Sequence, residues 1–149
     1  MWNASHATYF ASALAEGLAA CGSLEEAIGA AEWAIGEARR RGGTWDLPDL
    51  LRIEGVLLAS RSPVDEGAID AAFSAAIEVA RRQGALSLEL RATTALARER
   101  LRRGGSADDV RVLSAVYARF TEGFETPDLQ AARELVERYG VVKRRDEAS

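Results

Sequence analysis

Leu24-Glu25-Glu26-Ala27-Ile28-Gly29-Ala30-Ala31-Glu32-Trp33-Ala34-Ile35-Gly36-Glu37-Ala38-Arg39-Arg40-Arg41-Gly42-Gly43 is the stretch that decides the fold. Leu24, Ala27, Ile28, Ala31, Ile35 and Ala38 recur at intervals of three and four, which places them on one stripe of a helix with about 3.6 residues per turn. Both ends are punctuated accordingly. Ser23 and Glu26 have capping-box spacing, in which the hydroxyl accepts from a free backbone N–H and the carboxylate reaches back. Arg39-Arg40-Arg41 meets the negative end of the helix dipole, and Gly42-Gly43 supplies a stop. Most of the stripe is alanine, and small side chains let a second helix approach closely.

The same grammar extends outward along the chain. Ile69, Ala72, Phe73, Ala76, Ile77 and Ala80 form a second stripe. Val110, Leu113, Val116, Tyr117 and Phe120 form a third, and Leu129, Ala132, Val136 and Tyr139 a shorter last one. No segment shows the strict alternation of a half-buried strand. Ser106 and Asp109 repeat the capping spacing, Thr126-Pro127-Asp128 offers a cap with proline in the first turn, and further stops fall at Gly84, Gly104-Gly105 and Gly123. These signals predict helices near 7–21, 24–41, 46–60, 64–83, 86–103, 107–121 and 127–139.

The helices fall into pairs near 7–42, 46–84 and 86–122, closed by the helix at 127–139. Together they make a single domain over 1–140, followed by a charged tail at 141–149. Stop glycines recur about forty residues apart, and self-similarity at such a period marks a solenoid whose repeats bury their apolar faces on one another. The predicted fold is all-α, a right-handed α-α superhelix of about three helix pairs plus the closing helix.

Bulk properties narrow the function. Of 149 residues, 19 are basic and 23 acidic, for a net charge of -4. That balance argues against a surface that tracks nucleic acid, which needs a basic excess on one face. The arginine clusters at 39–41, 81–82 and 102–103 each precede glycine, so they read first as helix-end cations. No run of 18 apolar residues suggests a membrane span, the first residues lack a signal-peptide pattern, and Cys21 is the single cysteine. A cytoplasmic location is expected.

The placement of small and large residues resembles the tetratricopeptide repeat. Leu14-Ala15 and Leu18, then Ala27, Ala31 and Ala34, fit its two helices in the first pair. Gly55 and Leu58, then Ile69, Phe73 and Ala76, fit the second, and Leu96-Ala97 with Val110, Leu113 and Tyr117 fit the third. Ala31 stands where the repeat usually has an aromatic, and the second pair carries extra loop from Ser60 to Glu66. Arg82-Gln83-Gly84-Ala85-Leu86-Ser87-Leu88-Glu89-Leu90-Arg91-Ala92 and Tyr117-Ala118-Arg119-Phe120-Thr121-Glu122-Gly123-Phe124-Glu125-Thr126-Pro127-Asp128-Leu129 resemble recurring segments of one set of bacterial proteins. The segment Trp45 to Leu58 is similar as well. That set is the C-terminal helical-repeat region of large signalling ATPases, in which a nucleotide cyclase or winged-helix domain precedes the ATPase core. The resemblance implies the terminal part of a sensor arm that acts by binding protein.

Groups capable of chemistry are scarce. Lys143 is the only lysine and no glycine-rich segment precedes it, so a phosphate-binding P-loop is absent from the sequence. One histidine, His6, and one cysteine do not make an ordinary zinc site. Glu25-Glu26 and Asp108-Asp109 read as helix-start residues, and Glu54 as a helix-edge carboxylate, snorkelling or paired to an arginine. The expectation is a non-enzymatic module with no cofactor and no metal, whose partner is protein.

The candidate partner-binding residues are Trp33, Arg52, Glu89, Arg91 and Arg98. Arg52, Glu89, Arg91 and Arg98, with Glu16, fall on the first helices of the pairs, which would line a concave face. Trp33 lies about opposite its helix's apolar stripe, so it either packs on the neighbouring repeat, the first expectation, or contacts a partner. Trp45 is expected to plug the joint between the first two pairs, Trp2 to be loose or to anchor the first helix, and Phe124 to act as a hydrophobic staple beside Thr126. Two further functions remain open, a small-ligand sensor and a homodimerisation or spacer element with Trp33 at the contact.

Overall fold

The computed structural model of the chain describes residue 13, residues 16–18 and residues 20–146, with side chains as far as Gly140. Six helices follow one another: α1 (Leu24–Arg40), α2 (Leu47–Ala59), α3 (Glu66–Gln83), α4 (Leu86–Arg102), α5 (Asp108–Tyr117) and α6 (Pro127–Asp146). Before them Ala13, Glu16, Gly17, Leu18 and Ala20 have helical backbone. Most of the helix predicted at 7–21, with Trp2, His6 and Leu14-Ala15, lies outside the described residues. Among the described residues there is no strand, and the protein is all-α.

Boundaries follow the sequence closely except at the last helix, which continues through Gly140 to Asp146 into the segment predicted to be a tail. The cap chemistry differs more. The Ser23 side chain makes no cap hydrogen bond, and the backbone of Ser23 leaves the extended conformation that a capping side chain needs. Thr126 donates its hydroxyl to the Gly123 carbonyl at 2.7 Å and so closes a turn instead of capping α6. The Ser106–Asp109 box forms: the Asp109 carboxylate accepts from the Ser106 N–H at 2.8 Å, and the Ser106 hydroxyl accepts from Asp108. Asp65 caps α3 by accepting from the Ala68 N–H at 3.0 Å. Gly42, Gly84, Gly104 and Gly123 have positive φ, the left-handed conformation in which a residue without Cβ ends a helix at no steric cost.

Each helix packs on the next. In addition α2 lies against α4 and α4 against α6, whereas the backbones of α1, α3 and α5 stay apart from one another. The even-numbered helices therefore form one close row and the odd-numbered helices stand apart. The core is spread along the chain in the same way. One apolar cluster joins Ala27, Ile28 and Ala31 to Ile53 and Leu57. The next joins Ala34, Ile35 and Ala38 to Leu47, Leu50, Leu51, Ala76, Ile77 and Ala92. A third holds α4, α5 and α6 together through Leu90, Ala97, Val110, Leu113, Leu129 and Ala132.

One small-against-large contact shows why the packing is close. A Cβ added at Gly55 would lie 2.8 Å from the Phe73 ring, and Phe73 is itself fully buried. The missing side chain of α2 is the hole that the aromatic of α3 fills. Ion pairs lace the helix ends. Arg103 reaches Asp70 at 2.6 Å, and Arg100 reaches the same carboxylate at 3.3 Å, so the end of α4 is tied to the start of α3. Trp45 does not plug a joint. It is 62% exposed, and the buried residues at that corner are its neighbours Asp46, Leu47 and Pro48.

Candidate partner-binding groove

The close row of α2, α4 and α6 encloses a groove of about 570 Å³. Its basic wall belongs to α4, where Arg91, Ala95, Arg98 and Arg102 recur at helical spacing and so share one face. Opposite them α2 presents Arg52, Val56 and Ala59, and α6 adds Asp128 and Ala131. Ala59, Ala95 and Ala131 line the groove with short side chains, and Phe73, Thr94 and Glu99 are its buried lining residues.

Charges in the groove are positioned by one another. Asp49, at the start of α2, accepts from Arg52 Nε at 2.8 Å and lies 3.1 Å from Arg91 Nη1. Arg91 also approaches Asp128 at 3.5 Å, so this arginine bridges α2, α4 and α6. Arg102 donates to both oxygens of Glu99, at 2.9 and 2.7 Å. Arg98 is exposed and has no carboxylate partner among the described residues.

Three of the residues expected at the partner surface therefore come together: Arg52, Arg91 and Arg98. Glu16 stands at the margin, 3.9 Å from Arg52. Glu89 is a correction. It is 1% exposed, and its carboxylate accepts from Arg81 at 2.7 Å and from Arg119 at 2.9 Å. Placed one turn from α4's start, it faces the ends of α3 and α5 and not the groove. Trp33 is 53% exposed on α1, away from the groove, so the packing expected first for it is not what holds it. Phe124 packs back edge-on against Tyr117, with ring centroids 5.9 Å apart.

Sequence reasoning missed Arg102, Glu99 and Asp128. Arg102 follows Arg98 by four residues, the spacing that puts both on one helical face, but its place before Gly104 suggested a helix-end cation alone. The two segments 82–92 and 117–129 meet in space. Besides the Glu89–Arg119 pair, they share a second cleft of about 430 Å³ between Leu86, Leu90, Phe120 and Leu129.

Ionisation is perturbed at two carboxylates outside the groove. Burial pushes the half-buried Glu54 carboxyl up, the nearby Glu32 adds to this, and Arg39 partly offsets it. At Asp70, burial acts upward but is outweighed by the hydrogen bond from Arg103 and the charges of Arg100 and Arg103, so its carboxyl sits below the ordinary range. Among the described residues no cluster of His, Cys, Asp or Glu is placed to hold a metal ion, and no helix is long and apolar enough to cross a membrane.

The chain matches no family model, no curated protein and no solved structure.

Proposed function

We propose that the chain is a non-enzymatic protein-interaction module, a right-handed stack of tetratricopeptide-like helix pairs that serves as the regulatory arm of a signalling protein. The observation that carries the reading is the convergence of Arg52, Arg91 and Arg98 with Asp128 in one groove, although they come from two successive pairs and the closing helix. Supporting it, α2 lies against α4 and α4 against the closing helix α6, while the backbones of α1, α3 and α5 stay apart, which is the spacing a curved stack gives to its concave side. The Gly55–Phe73 contact fits the small-against-large frame on which the resemblance rests. A preformed groove spanning several pairs would act by shape, since a partner that fits one arrangement of the pairs biases the rest of the protein toward it.

The test is a selection of peptides displayed against the isolated chain, followed by NMR mapping of the enriched sequences. Shifts concentrated at Ala59, Ala95, Arg98 and Ala131 are expected. Enrichment of nothing, or shifts confined to α5, would count against the groove. The volume also supports a second reading, ligand sensing, because about 300–1,000 Å³ is usual for small-molecule sites. In that case a metabolite panel would raise the melting temperature where peptides do not.

A further inference from the structure

We propose that the groove receives an extended acidic segment of a partner protein, with two carboxylates two residues apart held by Arg98 and Arg102. This rests on reading the groove as the partner surface and adds the chemistry of what enters it.

Charge is the first argument. The chain is net negative at -4, yet this groove gathers Arg52, Arg91, Arg98 and Arg102. The carboxylates around them, Glu99 and Asp128 on the lining, Asp49 at one end and Glu16 at the margin, lie against Arg52, Arg91 and Arg102 and leave Arg98 uncovered. Arg98 stands in the middle of the arginine row without a carboxylate partner among the described residues. An unpaired guanidinium in a recess flanked by cations attracts an anion, and its planar fork suits a carboxylate. Glu99 is buried, but the Arg102 side chain is more than half exposed, so the guanidinium has donors free to take a second acceptor from solvent.

Spacing is the second argument. Arg98 and Arg102 are four residues apart on α4, a rise of about 6 Å. Same-face side chains of an extended chain repeat at about 6.6 Å, so a Glu-x-Glu sequence matches this pair. Access is the third, since Ala59, Ala95 and Ala131 line the groove with short side chains and let an extended backbone approach closely.

A fluorescein-labelled octapeptide of alternating glutamate and alanine, titrated into the whole chain by fluorescence polarisation, tests this. Binding is expected to fall as salt rises, to weaken about tenfold in Arg98→Ala and less in Arg98→Lys, and to be unchanged in Arg111→Ala on α5. Because Arg98 is exposed, circular dichroism should show each variant folded as wild type. Equal binding of the glutamine counterpart would overturn the acidic reading, as would displacement by citrate or a single-stranded oligonucleotide as effective as the unlabelled peptide. If neutral selected peptides map to the groove while this octapeptide does not bind, the groove stands as a partner surface and the acidic inference fails. Octapeptide binding indifferent to Arg98→Ala would overturn the assignment of acidic recognition to Arg98.

Discussion

Glu54 and Gly55 are neighbours on α2 with opposite burdens. Gly55 makes room for the Phe73 ring, so Gly55→Ala forces that ring or its helix to shift. Overpacking of this kind costs about 1–3 kcal/mol, and urea unfolding should show a lower midpoint with an unchanged slope. Glu54 is half-buried beside Glu32, and its carboxyl titrates above the ordinary glutamate range because burial disfavours the charge. A raised folded value means that ionising Glu54 weakens the fold, and that the penalty disappears as pH falls through that value. Glu54→Gln is therefore expected to melt higher than wild type at pH 7 and equally at pH 3, by differential scanning calorimetry. Of these two residues, sequence alone disclosed the role of glycine, because a small residue facing an aromatic is a pattern. It left Glu54 at a helix edge, since the carboxylate that disfavours its charge stands on another helix, twenty-two residues away in the chain.

At the scale of the elements, the helices themselves were legible and the links between their ends were not. Apolar stripes and stop glycines placed α1 to α5 within a few residues, since both signals are local. Caps depend on backbone geometry that composition does not fix, which is why Ser23 leaves its cap unused while Asp65, inside a loop with no marked pattern, makes one. Glu89 shows the larger gap. On α4 alone it resembles any first-turn acid, but the fold delivers Arg81 from α3 and Arg119 from beyond α5 to its two oxygens. Arg81→Ala and Arg119→Ala should each cost about 1–2 kcal/mol, since either arginine can still satisfy the carboxylate. The double substitution should cost more than their sum, because it strands a buried charge. A double-mutant cycle from urea midpoints measures this, and simple additivity would show that the two arginines do not share one partner.

For the molecule as a whole, the row of α2, α4 and α6 joins three helices into one surface. Part of that surface could be read in advance: Arg52, Arg91 and Arg98 fall on the expected helices and do converge. The rest required the actual stacking, because only three-dimensional order decides that Asp128 of the last helix sits beside Arg91, or that Trp33 stays outside. If one groove spans the array, a bound chain must touch three helices at once. The direct measurement is amide hydrogen exchange, with and without a saturating peptide from the selection. Joint slowing of exchange in segments 52–60, 91–102 and 128–131, with 108–117 unchanged, is the result predicted. Protection confined to α1 around Trp33, or to α5, would contradict the account.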